Sequence, residues 1–239
     1  MRDVPAAMSD RLIVGLDVPT VAEAREMVDR LDGVVSFFKV GLWLLFAPGA
    51  EALIDRDLIG RGKRVFLDAK MYDIGETVRQ GVRRAAERGV SIVTVHGDDE
   101  IMRAAADGRG GSAITKVFAI SVLTSLDDAG LKAMGYALDA QTLIRQRAGA
   151  AVACGCDGLI ASARDIPNAL RLAAGSDELL IATPGIRPAG AGVDDHKRSA
   201  TPAQAIRDGA DYLVVARPVI AATDPLAAAR AIISEMRTS

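Results

Sequence analysis

Eight short apolar runs recur along the chain, and a stretch with helix signals follows nearly every one. The runs are "LIVGLD" (residues 12–17), "FFKVGL" (37–42), "VFLDAK" (65–70), "IVTVHG" (92–97), "VFAISVL" (117–123), "GLIAS" (158–162), "LLIATPGI" (179–186) and "YLVVARP" (212–218). Continuous rather than alternating hydrophobicity is the mark of strands buried on both faces. The intervening segments start as helices do. In "TVAEAREMVDRL", Thr20 is a candidate N-cap with Glu23 three residues on. In "TPAQAIRDGA", Thr201 caps, Pro202 takes the first helical position and Gly209 stops the helix. "TDPLAAARAIISEM" repeats that start with Thr223 or Asp224. Eight β/α alternations predict an α/β fold, a (β/α)8 TIM barrel. A doubly wound open sheet is the alternative, but it usually has fewer strands, and no GxGxxG follows the first run.

Half of the 239 residues are hydrophobic, enough for one sizeable core, so residues 1–239 are expected to form a single domain. A formal net charge of −2 gives no basic field to draw in nucleic acid. No apolar run approaches the roughly 20 residues that span a membrane, and "MRDVPAAMSD" lacks the apolar centre of a signal peptide. Cys154 and Cys156, in "ACGCDG", stand too close for an ordinary disulfide and have no second Cys/His cluster. They are expected to be small core residues. These features together suggest a cytoplasmic protein.

In a barrel of this kind the chemistry gathers where strands end and βα loops begin. Asp17, Lys39, Asp68, Lys70, Asp73, Thr124, Arg187 and Arg217 all fall at such ends. Within "FLDAKMYDIGET", Lys70 lies two residues after Asp68, so on an extended strand both face one side. Lys39 would be their neighbour. Two ammoniums alternating with two carboxylates neutralise one another while partly buried. Such a set is either a structural ion-pair network or a cationic acid held in place by carboxylates, able to deliver a proton. The loops after the last two strands are where barrels often bind phosphate. Arg217 ends the eighth run, and the small residues of "AGAG" in the loop at 188–195 suit a closing lid. His96 is expected to be a hydrogen-bonded structural residue, Trp43 a packing or interface residue, and Asp98 and Asp99 solvated.

With these residues assembled, the chain resembles the orotidine 5'-phosphate decarboxylase family. The resemblance runs from "GLDVP" through "FFKVG", "FLDAKMYDI", "TVH", "SVLTS" and "TPGIRP" to "VVARP". The DxKxxD stretch is its most specific part. It also occurs in sugar-phosphate enzymes of the wider barrel suprafamily; Lys39, "VLTS" and "PGIR" narrow it to the orotidylate branch. The resemblance implies decarboxylation of orotidine 5'-phosphate to UMP without a metal or other cofactor. Asp17 would contact the ribose. Lys39, Asp68, Lys70 and Asp73 would form the charged catalytic array, with Lys70 as proton donor. Asp73 and Thr77 would reach the neighbouring subunit's site in a homodimer. Thr124 would hydrogen-bond the pyrimidine, Arg187 lie in the closing loop, and Arg217 bind phosphate.

Some positions depart from the family pattern. Ala216 stands where a glycine usually precedes the phosphate arginine. His196 stands for a glutamine, with one hydrogen bond to donate when neutral. Gly75 and Glu76 replace "PN" after the second carboxylate, and beyond Gly97 the glycines usual after the fourth-strand histidine are missing in "HGDDEIM". The competing implication is an Mg2+-dependent sugar-phosphate decarboxylase or aldolase of the same suprafamily, which would need an acid where Lys39 stands. A non-catalytic nucleotide-binding barrel is the reading from another class.

Overall fold

Residues 2–123, 125–188 and 200–238 are described by a computed structural model. Eight parallel strands follow one another in chain order, and the last pairs with the first to close a barrel. They are β1 (Leu12–Gly15), β2 (Phe37–Gly41), β3 (Arg64–Met71), β4 (Ile92–His96), β5 (Lys116–Ile120), β6 (Gly158–Ile160), β7 (Leu180–Pro184) and β8 (Tyr212–Val215). The α-helices around them are α1 (Val21–Arg30), α2 (Leu42–Leu45), α3 (Ala50–Ala52), α4 (Gly75–Glu87), α5 (Asp99–Arg109), α6 (Asp128–Ala133), α7 (Ala140–Ala153), α8 (Pro167–Ala174), α9 (Pro202–Arg207), α10 (Arg217–Ile220) and α11 (Pro225–Met236). Among the described residues no helix is long and apolar enough to cross a membrane.

Every predicted strand is present, and most stop before the apolar run does. β5 ends at Ile120 and β8 at Val215, because the chain turns into its βα loops there. At β8 the cause is local: Pro218 has no N–H for a ladder, and Arg217 opens α10 instead. Helix starts follow their caps. The Thr20 hydroxyl accepts from the Glu23 N–H at 3.2 Å and donates to its carboxylate at 2.9 Å. Thr201 accepts from Gln204 at 3.2 Å. At α11 the cap is Asp224, which accepts from Ala227 at 3.0 Å.

Apolar side chains fill two layers. Ile13, Phe37, Phe66, Ile92, Phe118, Leu180 and Tyr212 point into the barrel. The rings of Phe37 and Phe118 meet Tyr212 edge-on at 5.9 and 6.4 Å. Gly158 makes this possible, since a Cβ there would come within 2.5 Å of the Phe118 ring. The alternate residues (Val14, Phe38, Val40, Val65, Val93, Val95 among them) face the helices. Cys154 and Cys156 are buried and free, and burial pushes the Cys156 thiol up to about 12.

Opposite the loop end, the barrel floor is held by a buried arginine. From α8, Arg171 donates to the carbonyls of Leu179 and Gly209, both at 2.8 Å, and pairs with Asp211. Asp211 also accepts from the Ile181 N–H at 2.8 Å, and Arg11 donates to the Asp211 and Ala210 carbonyls. Burial is the main influence on both partners, holding the Asp211 carboxyl above its usual range and the Arg171 guanidinium below its own. Breaking such a pair leaves an uncompensated charge. Arg171→Leu should cost about 3–5 kcal/mol of stability in urea unfolding; a loss within experimental error would show that the pair is dispensable.

Candidate active site

The inward-facing positions continue above the aromatic layer and change character. Along β2, Phe37 is followed on the same face by Lys39; along β3, Phe66 is followed by Asp68; along β4, Ile92 is followed by Thr94. Apolar floor gives way to charge within one pleat. Gly15 leaves room for this. A Cβ there would come within 3.1 Å of the Lys39 stem and 3.0 Å of the Ala216 methyl.

The charges form one chain. Lys39 Nζ lies 3.0 Å from Asp17 Oδ1 and 3.5 Å from Asp68 Oδ2, and Lys70 Nζ lies 2.8 Å from Asp68 Oδ1. Signs alternate from Asp17 through Lys39 and Asp68 to Lys70. The inner pair is the more enclosed: the Lys39 and Asp68 side chains are 11% and 13% exposed, those of Asp17 and Lys70 both 37%. Each buried charge has an opposite neighbour, the condition for keeping it charged out of water.

Lys70 does not reach its place by regular strand alternation. Its φ is +46°, in the left-handed region, which costs a non-glycine residue about 1–3 kcal/mol. The β3–β4 register shifts here: Leu67 pairs with Val93, but Met71 pairs with Val95, so four steps on β3 match two on β4. Asp68, Ala69 and Lys70 therefore bulge, and the expectation that simple alternation aims both charges is corrected. The bulge faces Thr94, which is fully buried. The Lys70 N–H donates to Thr94 Oγ1 at 3.0 Å, and that hydroxyl lies 3.1 Å from Asp68 Oδ1 as donor.

The array lines a cavity of about 820 Å³ at the C-terminal end of the barrel. Arg187, Ala216 and Arg217 line it from the ends of β7 and β8. Ala216 has φ −119°, outside the left-handed region that would call for a glycine. Ser125 and Asp127 line it after β5, Ser162 and Arg164 after β6. Sequence reasoning did not single these four out. A conspicuous signal existed for Arg164 only, as a cation just past a predicted strand. Trp43 is 61% exposed and also lines the cavity, so it is not a packed core residue.

Two expected site residues stand apart from this array. Asp73 is exposed and accepts from the Ile74 N–H at 2.7 Å; Thr77 is exposed on α4. Neither lines the cavity of its own chain. Glu76 is occupied within α4: hydrogen bonds from Arg79, then from Gln80, hold its carboxyl down to about 2. Thr124, His196 and most of the predicted lid loop lie outside the described residues. His96 pairs with Asp98 at 2.9 Å and packs against the Tyr72 ring, as a structural histidine would. Asp98 is half-buried rather than solvated, because it also faces Arg147 at 3.6 Å.

Fold and site together define a class: an α/β-barrel protein with alternating lysines and aspartates at the ends of its first three strands, beside arginines from its last two. Residues 10–232 match the family model described as the Orotidine 5'-phosphate decarboxylase / HUMPS family. An orotidine 5'-phosphate decarboxylase of Afipia carboxidovorans is 49% identical over 236 residues, covering 99% of this chain and 98% of that one. One from Caulobacter vibrioides is 47% identical over 228 residues, covering 95% and 97%. The crystal structure of orotidine 5'-phosphate decarboxylase from Lactobacillus acidophilus superposes with a TM-score of 0.81 at 32% identity, covering 95% and 99%. The chain belongs to the orotidine 5'-phosphate decarboxylase / HUMPS family.

The spacing at Gly15 gives a test of the array. Gly15→Val should push the Lys39 stem aside and open the Lys39–Asp17 contact beyond about 4 Å, the limit of an ion pair. A crystal structure of the variant with that contact intact would show the glycine is not needed there.

Proposed function

We propose that the chain decarboxylates orotidine 5'-phosphate to UMP and CO2, with no metal or other cofactor. The observation that carries this reading is the unbroken order Asp17–Lys39–Asp68–Lys70 on the wall of a cavity that also holds Arg217. The bond from ring carbon six to the carboxylate breaks, and its electron pair stays on that carbon. No carbonyl is placed to absorb the pair as an enolate, so a nearby cation must stabilise it. Lys70 is that cation, fixed by Asp68, and its ammonium proton passes to carbon six. Asp68 faces the departing carboxylate, and their repulsion ends when neutral CO2 forms. Solvent returns a proton to Lys70.

Binding is divided among the rim residues. Asp17 and Lys39 hold the ribose, Thr124 the pyrimidine edge, and Arg217 with the Ala216 main chain the phosphate. Arg187 and His196 act with the loop that closes over them. Phosphate binding is remote from the reacting carbon, so its energy goes to closure and orientation. Lys39 Nζ sits between both carboxylates, where a divalent cation would need them, which disfavours the Mg2+-dependent reading.

The reading includes a homodimer with shared sites. Its support is the exposure of Asp73 and of apolar side chains after the neighbouring strands β2 and β3: Trp43, Tyr72, Phe46 at 85% and Ile74 at 72%. Such a set suits an interface. Asp73 and Thr77 then serve the partner subunit's cavity. We read residues 1–239 as one barrel domain acting in the cytoplasm, with no nucleic-acid or membrane partner.

The first measurement is orotidine 5'-phosphate turnover in excess EDTA, followed by the ultraviolet change of the ring. Metal-independent formation of UMP is expected; a requirement for Mg2+ would move the assignment to the sugar-phosphate branch. Lys70→Ala should abolish turnover while leaving the protein folded, and wild-type-like activity from it would remove the mechanism. Arg217→Ala should raise KM for the substrate at least tenfold; unchanged kinetics would remove its phosphate role. Mixing inactive Lys70→Ala with inactive Asp73→Ala should restore about a quarter of wild-type activity, because each hybrid dimer has one intact site. No recovery after verified subunit exchange would place Asp73 in its own chain's chemistry.

A further inference from the structure

We infer that Thr94 is a positioning residue for the charged array: its hydroxyl locks the β3 bulge so that Lys70 and Asp68 meet. The inference rests on the decarboxylase reading for its kinetic consequence and on geometry alone for its structural one.

Thr94 lies between Val93 and Val95, the β4 residues that pair on either side of the register shift. It is therefore the β4 residue opposite Asp68, Ala69 and Lys70, where regular ladder bonding is interrupted. A bulge leaves backbone groups without ladder partners, and a buried one needs a substitute. The Thr94 hydroxyl is that substitute for the Lys70 N–H, at 3.0 Å. Having accepted there, it still carries one proton, and Asp68 Oδ1 stands 3.1 Å away to receive it. The same carboxylate oxygen is 2.8 Å from Lys70 Nζ. One hydroxyl thus holds the main chain of Lys70 and the side-chain partner of Lys70 at once.

The neighbours show that this is a choice of residue type. β4 reads "IVTVH", and its other buried positions are aliphatic. Valine has nearly the shape of threonine and would pack as well there. What it lacks is the hydroxyl, and with it the tie across a left-handed lysine that would otherwise relax. A lysine side chain has several rotamers, so fixing its main chain and its carboxylate partner together narrows where the ammonium can settle.

The experiment compares Thr94→Val, Thr94→Ser and wild type by steady-state kinetics, thermal unfolding and crystallography. For Thr94→Val, kcat should fall roughly 10- to 100-fold, the range expected for losing a hydrogen bond to a charged group, with KM changed less than about threefold. Thr94→Ser keeps the hydroxyl and should recover most of that loss. A purely structural role would lower the melting temperature of both variants and leave their kcat alike. The crystal structure of Thr94→Val should show Lys70 outside the left-handed region, with Nζ no longer bonded to Asp68. If Thr94→Val does not fold, Thr94→Ala takes its place in the same comparisons. Retained kcat, or a Lys70–Asp68 contact that survives the substitution, overturns the inference. If the wild type itself fails to turn over orotidine 5'-phosphate, the decarboxylase reading falls, and the crystallographic comparison still decides the role of Thr94.

Discussion

The hydrogen bonds between β1 and β8 close the sheet, and the rim depends on that closure. Leu12, Ile13 and Val14 pair with Leu213, Val214 and Val215. Because of this, Asp17 from the first strand's end and Arg217 from the eighth's line one cavity although 200 residues separate them in the chain. A closed parallel sheet also has no edges, so every strand contributes a C-terminal end to one ring. The short apolar strands, the aromatic plug below and the Arg171–Asp211 floor keep that ring in a single shape.

On this rigid base the barrel concentrates charge that its interior would otherwise exclude. Four charged side chains stand within a few ångströms of one another, stable as a group because their signs alternate. The arrangement also orders them. Lys39, the more enclosed lysine, touches two carboxylates and keeps less donor capacity. Lys70, more exposed at the cavity wall, touches one and keeps donor capacity toward whatever fills the cavity. The proposed chemistry uses that inequality: one lysine supports, the other reacts.

Much of this was legible in the residues. Strand number, barrel closure and most of the charged rim follow from eight apolar runs that end in polar residues. The caps at Thr20 and Thr201 were readable because capping needs only near neighbours. The bulge in β3 was not readable, since a register shift belongs to a strand pair and leaves no mark on one strand alone. Thr94 went unassigned for the same reason: a threonine in an apolar strand is ordinary until the strand beside it is known. Asp98 was misread as solvated because its partners, His96 and Arg147, come together only in the fold. Asp73 and Thr77 were expected at a site, and that they stand outside their own chain's cavity is visible only in the fold.

The left-handed backbone at Lys70 has an evolutionary consequence. A glycine adopts that conformation freely, and asparagine does so more readily than lysine, so relaxation of the fold and retention of the proposed proton donor pull position 70 in opposite directions. Descendants released from selection on catalysis would be expected to drift there first, gaining stability as they lose the reaction. An inert relative with an otherwise intact barrel and a small residue at this position would record that history.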